Sequence, residues 1–282
     1  MSVTLVADIG GTSSRWGIIR SGHDPRIIEG LPGFNPSVGD PRLFASALNA
    51  EFQEQAARVT AVFAYGAGCG TRERAEQMAH VLLAVWPRAR IDVASDLMGA
   101  AHGLLGTNAG FVLILGTGMN AAWYNGSVLD QRMPSLGYIL GDEGSGADIG
   151  KYALIDALHG RMPVEVRDHV FPAGLAMPEV VKELYRGSSP QAWLASFTAP
   201  IAGLTQHAYV QGLVRSRFNA LADRLCAYFP LEQRSSITAT GSVAFGLADT
   251  LRTVLAERGL QLIDVQRSPM PGLLKYRSEA LL

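Results

Sequence analysis

Cysteine is scarce in this chain: two residues, Cys69 and Cys226, in 282. They lie far apart and outside any Cys-x-x-Cys spacing, which argues against both a disulfide framework and a zinc site. Charge is sparse too. Charged residues make up 17% and the formal net charge is -1, so nothing in the balance points to nucleic acid or an anionic membrane as a partner. Long apolar runs are missing. The best, Ala109 to Leu115, is strand-sized and far short of the ~18 residues of a membrane span. The six histidines show no metal-ligand spacing, and His102 and His207 read as surface or core residues. The start, Met1-Ser-Val-Thr-Leu5, lacks the basic and apolar regions of a signal peptide, so the expectation is a cytoplasmic protein. What remains is 48% hydrophobic and long enough for two domains, the composition of a well-buried protein.

The most informative stretch is Thr4-Leu-Val-Ala-Asp-Ile-Gly-Gly-Thr-Ser-Ser-Arg-Trp-Gly-Ile-Ile-Arg20. Val3 to Ala7 and Trp16 to Ile19 read as strands, with Gly10-Gly11 as the turn between them. A hairpin whose tip carries Asp8, two glycines, Thr12, Ser13, Ser14 and Arg15 offers what a phosphate chain needs. Backbone N–H groups stand clear of side chains, hydroxyls can donate, and a carboxylate can hold a metal. It is not a Walker loop. The nearest candidate for one, Ser145-Gly-Ala-Asp-Ile-Gly-Lys-Tyr152, has Ser for the first Gly and Tyr for Ser/Thr.

Downstream, Ile27 to Pro36 reads as a third strand running into a loop broken by two prolines and two glycines. There Asn35, standing before a proline, either opens a turn or contacts a substrate. Phe44, Leu48, Phe52 and Ala56 recur every four residues, predicting an amphipathic helix from Asp40 to Arg58. Val59 to Tyr65 is a buried strand, Arg72 to Trp86 a helix and Ile91 to Ser95 a strand. A short helix follows with Ser95 or Asp96 as its cap. Gly103, Gly106, Thr107 and Asn108 form a plausible domain boundary.

Phe111 to Leu129 then repeats the opening: apolar strand, Gly116-Thr117-Gly118 tip, second strand, Asn-Gly turn. Two copies of one module, facing each other across a cleft, are expected. Gly116-x-Gly118-x-x-Ala121 also matches the dinucleotide fingerprint, but that needs a helix after the glycines. Trp123-Tyr124-Asn125-Gly126 demands a strand and a tight turn instead. Leu136 to Gly146 is a glycine-dense turn carrying Asp142 and Glu143. Further helices are expected at Ala147 to His159, Pro178 to Tyr185, Gln191 to Phe197, about Pro200 to Phe229, Ala244 to Glu257 and Pro271 to Leu282. Ser236 to Thr240 and Leu260 to Val265 read as strands. Gly241-Ser242 is a strand-to-helix turn with room for a planar group. The whole reads as an α/β protein with mixed sheets flanked by helices.

Taken together, Asp8-Ile-Gly-Gly-Thr12, Gly116-Thr-Gly118 and Thr240-Gly-Ser-Val-Ala244 resemble the two phosphate motifs and the adenosine motif of the superfamily of actin, hexokinase and the sugar kinases. Within it, Tyr65-Gly-Ala-Gly-Cys69, the Gly-Asp-Glu-Gly-Ser run at 141–145 and Ser268-Pro-Met-Pro-Gly-Leu273 resemble the BadF/BadG/BcrA/BcrD ATPase-type family, nearest to N-acetylglucosamine kinase. The resemblance runs over essentially the whole chain. It implies two actin-like (ribonuclease H-like) domains, 1–106 and 107–268, with a terminal helix at about 269–282 packing back on the first, and a cleft between the domains. It implies ATP and magnesium as cofactors and an amino sugar as substrate. Asp8 would hold the magnesium ion, directly or through water, and Gly10, Gly11, Thr12 and Ser13 would wrap the phosphates. Thr117 and Gly118 would touch the β- and γ-phosphates; Gly241 and Ser242 would border adenine and ribose. Asp96 matches the catalytic aspartate, and Asn35, Gly137 and Asp142 match positions that bind the sugar.

The implied reaction is phosphorylation of N-acetylglucosamine at its 6-hydroxyl. The alternatives are a kinase of glucosamine, N-acetylmuramic acid or a related sugar, or an activator-type ATPase module. Two departures bear on this. Relatives often have Lys where this chain has Ser13, so Arg15 is a candidate to take over one phosphate contact. The animal kinase has Trp where this chain has Leu136, which reshapes the sugar side. Asp142 and Glu143 are interchangeable at this level. Sugar kinases of this type are often homodimers, though no stripe here assigns an interface.

Overall fold

The computed structural model describes residues 2–280, so the last two positions of the expected terminal helix, 281 and 282, lie outside the described residues. Its contacts divide the chain into two compact units. One holds residues 2–109 with Asn125–Leu129 and residues 268–280; the other holds Gly110–Tyr124 and Asp130–Arg267.

In the first unit the strands are β1 (Val3–Ile9), β2 (Ser13–Arg20), β3 (His23–Pro32), β4 (Val59–Gly66) and β5 (Arg90–Ser95), in sheet order β3-β2-β1-β4-β5. β1 pairs antiparallel with β2 and parallel with β4. Lying between two neighbours, it is buried on both faces, hence its unbroken apolar run. α1 (Pro41–Glu51) starts where Asp40 accepts the amides of Arg42 and Leu43. The expected helix to Arg58 stops early. Phe44, Leu48 and Phe52 are fully buried, but the chain turns after Glu51 and Ala56 is exposed. Phe52 then closes an aromatic core with Trp16 and Trp86, ring centroids 5.4 to 5.6 Å apart. α2 (Arg72–Val85) and α3 (Asp96–Leu105) flank the sheet.

The C-terminal helix, Met270–Glu279, packs on α3 and β2 of this first unit. Gly272 meets the Gly103 carbonyl backbone to backbone, and Gly17 leaves room for Leu274. Met270, Leu273 and Leu274 join Val6 and Tyr65 in a separate small core. Arg277 donates to the Tyr65 hydroxyl at 2.9 Å, and that hydroxyl lies 2.9 Å from His102 Nδ1.

The second unit repeats the plan with β6 (Gly110–Leu115), β7 (Met119–Tyr124), β8 (Leu129–Arg132), β9 (Ser236–Thr240) and β10 (Gln261–Gln266), in order β10-β9-β6-β7-β8. β6 is antiparallel to β7 and parallel to β9, as β1 is to β2 and β4. A strand follows Gly118, so the dinucleotide reading is excluded. The helices are α4 (Gly137–Leu140), α5 (Gly146–Leu158), α6 (Val164–Val170), α7 (Met177–Arg186), α8 (Pro190–Ser196), α9 (Thr198–Ala202), α10 (Ala208–Tyr228), α11 (Leu231–Arg234), α12 (Ser242–Gly246) and α13 (Ala248–Ala256). The expected helix from Pro200 to Phe229 is thus two helices. Gly203 N–H bonds back to the carbonyls of Ala199 and Pro200, and the His207 ring accepts Tyr209 N–H to start α10.

Candidate active site

In the first unit the parallel strands end side by side, Ile9 against Gly66 and Gly66 against Ser95. Asp8, the 66–69 turn and Asp96 therefore share the carboxyl edge of one sheet, the edge where open α/β sheets bind ligands. Asp8 precedes the hairpin tip, which closes when Gly10 N–H donates to Ser13 C=O at 3.0 Å. The segment after β3 folds over that tip. Gly33 and Phe34 donate to the carbonyls of Thr12 and Gly10 at 3.1 and 3.0 Å, and a Cβ at Gly33 would collide with the Gly10 carbonyl. Nothing crowds Gly11, whose side is open.

Strand alternation sorts the tip residues. Ser13 is exposed, whereas Ser14 is fully buried, donating to Pro32 C=O at 2.7 Å and accepting Trp16 Nε1–H at 2.9 Å. Ser14 is therefore a core residue, which removes one hydroxyl from the expected phosphate set. Arg15 lies 3.7 Å from Asp8 Oδ2 and 3.3 Å from Glu29 Oε1. Burial pushes the Asp8 carboxyl up to about 6 against the pull of Arg15 and a hydrogen bond from Ser268. Such a carboxylate suits magnesium, which takes one or two carboxylates and leaves its other positions to water and phosphate. No cluster of three or more His, Cys, Asp or Glu able to hold a metal occurs among the described residues.

Ser95 is the cap of α3, accepting Met98 N–H at 3.2 Å, and Asp96 is the first helical residue, its Oδ1 accepting Leu97 N–H at 2.8 Å. The positive helix terminus favours the anion there. Asn35 does open a turn: its Oδ1 accepts Ser37 N–H at 2.9 Å. Its amide also lies directly over Gly68, whose φ of 77° and bare Cα admit it. Burial pushes the neighbouring Cys69 thiol up to about 12, with the Asp96 charge adding. Asn35, the 66–69 turn and Asp96 thus line one corner.

In the second unit, the tip between β6 and β7 is locked onto α5. Gly146 and Ala147 donate to the carbonyls of Gly116 and Thr117 at 2.8 and 3.1 Å. Gly241, with φ 118°, sits where a Cβ would strike the Leu115 carbonyl, so only glycine fits. Thr117 and Ser242 line a cavity of about 140 Å³ with Gly116, Gly146, Thr198, Val243, Leu247 and a floor of small residues, Ala195, Ala199, Ala202 and Gly246. That floor belongs to α8, α9 and α12, and periodicity alone gave no sign of it.

Asp142 is the single non-glycine residue with positive φ among the described residues, at 60°. It is 5% exposed, and its carboxylate lies against Gly118, where a Cβ would come within 3.0 Å of Oδ2. Its Oδ1 accepts Met119 N–H at 3.3 Å and its Oδ2 accepts Gln191 Nε2 at 3.0 Å. Burial pushes it up to about 6, Glu143 and Asp148 adding, Met119 N–H and Lys151 opposing. Glu143 turns away, its Oε1 taking the Arg224 guanidinium at 2.6 Å. The two acids are therefore not interchangeable. Asp148 holds the turn from below, accepting Gly144 N–H at 3.0 Å and Arg217 Nε at 2.9 Å. Gly137, φ 70°, is open on its Cα side, and Leu136, Ile139 and Leu140 around it are exposed.

Two sheets of one topology, each with a glycine tip between its first two strands, define the actin-like class of fold. No protein-family model matches the sequence, and no curated protein matches it. Among solved structures, the "Putative N-acetylglucosamine Kinase" of Porphyromonas gingivalis is 33% identical, with TM-score 0.89, covering 99% of this chain and 100% of that one. The protein of the same description from Chromobacterium violaceum is 20% identical, TM-score 0.67, covering 98% and 99%. A ROK family glucokinase from Streptomyces griseus, in complex with glucose and AMPPNP, is 16% identical, TM-score 0.61, covering 99% of each chain. The latter two share the fold. The chain belongs to the sugar kinases, ATP-dependent phosphotransferases of the actin/hexokinase superfamily.

Proposed function

We propose that this chain transfers the γ-phosphoryl group of ATP to the 6-hydroxyl of N-acetylglucosamine, as a member of the BadF/BadG/BcrA/BcrD ATPase-type branch. The observation that carries the reading is Asp96 at the first turn of α3, on the sheet edge that also holds Asp8 and adjoins Asn35. In the reaction, the bond from the γ-phosphorus to the β–γ bridging oxygen breaks as the sugar oxygen bonds to phosphorus. The hydroxyl proton passes to the Asp96 carboxylate. Asp96 need not be a strong base: in a loose transition state the proton leaves late, and an ordinary carboxylate orients the hydroxyl.

The remaining roles are those the resemblance implies. Gly11, Thr12 and Ser13 donate to phosphate oxygens from one glycine tip, which Gly10 shapes by spending its own N–H on the Ser13 carbonyl, and Thr117 and Gly118 donate from the other. Gly241 and Ser242 border the nucleoside, and the small-residue floor beside them suits a flat ring. Asn35, Gly137 and Asp142 hold the sugar. Asp8 would hold magnesium, which when bound supplies charge neutralisation on the phosphates.

The test is ADP release from Mg-ATP with a panel of N-acetylglucosamine, glucosamine, N-acetylmuramic acid and glucose. Release stimulated most by N-acetylglucosamine is the expected result. If no sugar raises it above the sugar-free rate, the kinase reading is wrong.

A further inference from the structure

Gln191 is the second residue of α8, 49 positions from Asp142 in sequence, yet its side-chain amide donates to Asp142 Oδ2 at 3.0 Å. Three separate elements meet at that one carboxylate. The 141–146 turn supplies it from a left-handed backbone at Asp142. The β6–β7 tip answers with Met119 N–H on the other oxygen. Helix α8 supplies the Gln191 amide. Two glycines make the meeting sterically possible. Gly118 has no Cβ where one would stand 3.0 Å from both Asp142 Oδ2 and Gln191 Nε2, and Gly150 of α5 lets the Leu194 carbonyl of α8 press directly on its backbone. Gly150 thus sets how closely α8 approaches, and so where Gln191 reaches.

We propose that Gln191 is a positioning residue for phosphoryl transfer: its amide fixes the Asp142 carboxylate over the Gly118–Met119 tip, registering the sugar-holding turn with the phosphate-holding tip. This rests on the sugar-kinase reading above. The charged groups acting on Asp142 are Glu143, Asp148 and Lys151, with Glu143 and Asp148 themselves held by Arg224 and Arg217 of α10. Gln191 is the uncharged member of this surround, so replacing it changes a hydrogen bond without removing a charge.

Two variants and two readouts decide it. In Gln191→Ala the ionised carboxylate loses a donor. The sugar KM rises about tenfold, ATP KM stays within about twofold, and the acid limb of the sugar kcat/KM profile moves to higher pH. Gln191→Glu places a second carboxyl beside the first. At about pH 5.5 one shared proton restores the hydrogen bond and sugar KM approaches wild type; at about pH 8 both ionise, repel and raise it. A residue that merely packs would not give opposite pH trends in the two variants. Amide exchange at Met119 is the readout free of turnover, and it is faster in Gln191→Ala than in wild type. Equal sugar KM, equal pH profile and equal Met119 protection in Gln191→Ala overturn the proposal. Absence of sugar-stimulated turnover in wild type overturns the kinase reading instead, so the two failures are distinct.

Discussion

Asp96 and Gly33 separate chemistry from geometry at the level of single residues. Asp96→Asn keeps an oxygen for Leu97 N–H but removes the proposed proton acceptor, so kcat is expected to fall by about 10²–10⁴ with little change in melting temperature. A parallel loss of thermal stability would mean that Asp96 is needed for folding rather than catalysis. Gly33→Ala should act the other way round. The new methyl would run into the Gly10 carbonyl, forcing the covering segment off the β1–β2 tip at a cost of about 1–3 kcal/mol. Lower melting temperature with a raised ATP KM is the expected pair of results. An unchanged ATP KM would show that the tip holds its shape without its cover.

Buried charge decides what happens among elements. Asp148 and Arg217, with side chains 4% and 13% exposed, join α5 to α10 beneath the 141–146 turn. Removing one partner strands the other, so Asp148→Ala should cost about 3–5 kcal/mol, read as a shift in denaturant midpoint. A cost below about 1 kcal/mol would mark the pair as solvated. Such long-range pairs also mark where sequence reading runs out. Asp8, the glycine tips and Ser95-Asp96 were legible because an acid or a glycine pair at a strand end is a local signal. Gln191 and Arg217 carry no local mark; they gain meaning when residues 49 and 69 positions away come to meet them. Short helices such as α4 and α11 escaped because four residues cannot display a helical period. The overlong Pro200–Phe229 prediction failed because apolar spacing persists across the turn that Gly203 and His207 impose.

The helix Met270–Glu279 covers part of the first unit's sheet, packing on β1, β2 and α3. Deleting everything after Arg267 would uncover the sites of Met270, Leu273 and Leu274, each contributing ~1.5–3 kcal/mol when buried. That sum rivals the 5–15 kcal/mol net stability of an ordinary domain, so the truncated chain should lose the first unit's unfolding transition and all kinase activity. Survival of that transition would show the helix to be an accessory. The same helix adds an acid-sensitive contact. Burial, with Arg277 adding, lowers His102 to about 4 from its ordinary 6.5. The unfolded chain therefore takes up a proton that the folded one refuses, and stability present above pH 6.5 is lost as pH falls toward 4. His102→Gln should flatten that decline by ~2–3 kcal/mol in denaturation measured across this range; an unchanged slope would place the acid sensitivity elsewhere. Because residues 130–267 separate β5 and α3 from this helix in the chain, the first unit cannot acquire that neighbour until the intervening second unit has been made. The nascent first sheet thus stays open to chaperones and proteases while the second unit is being synthesised.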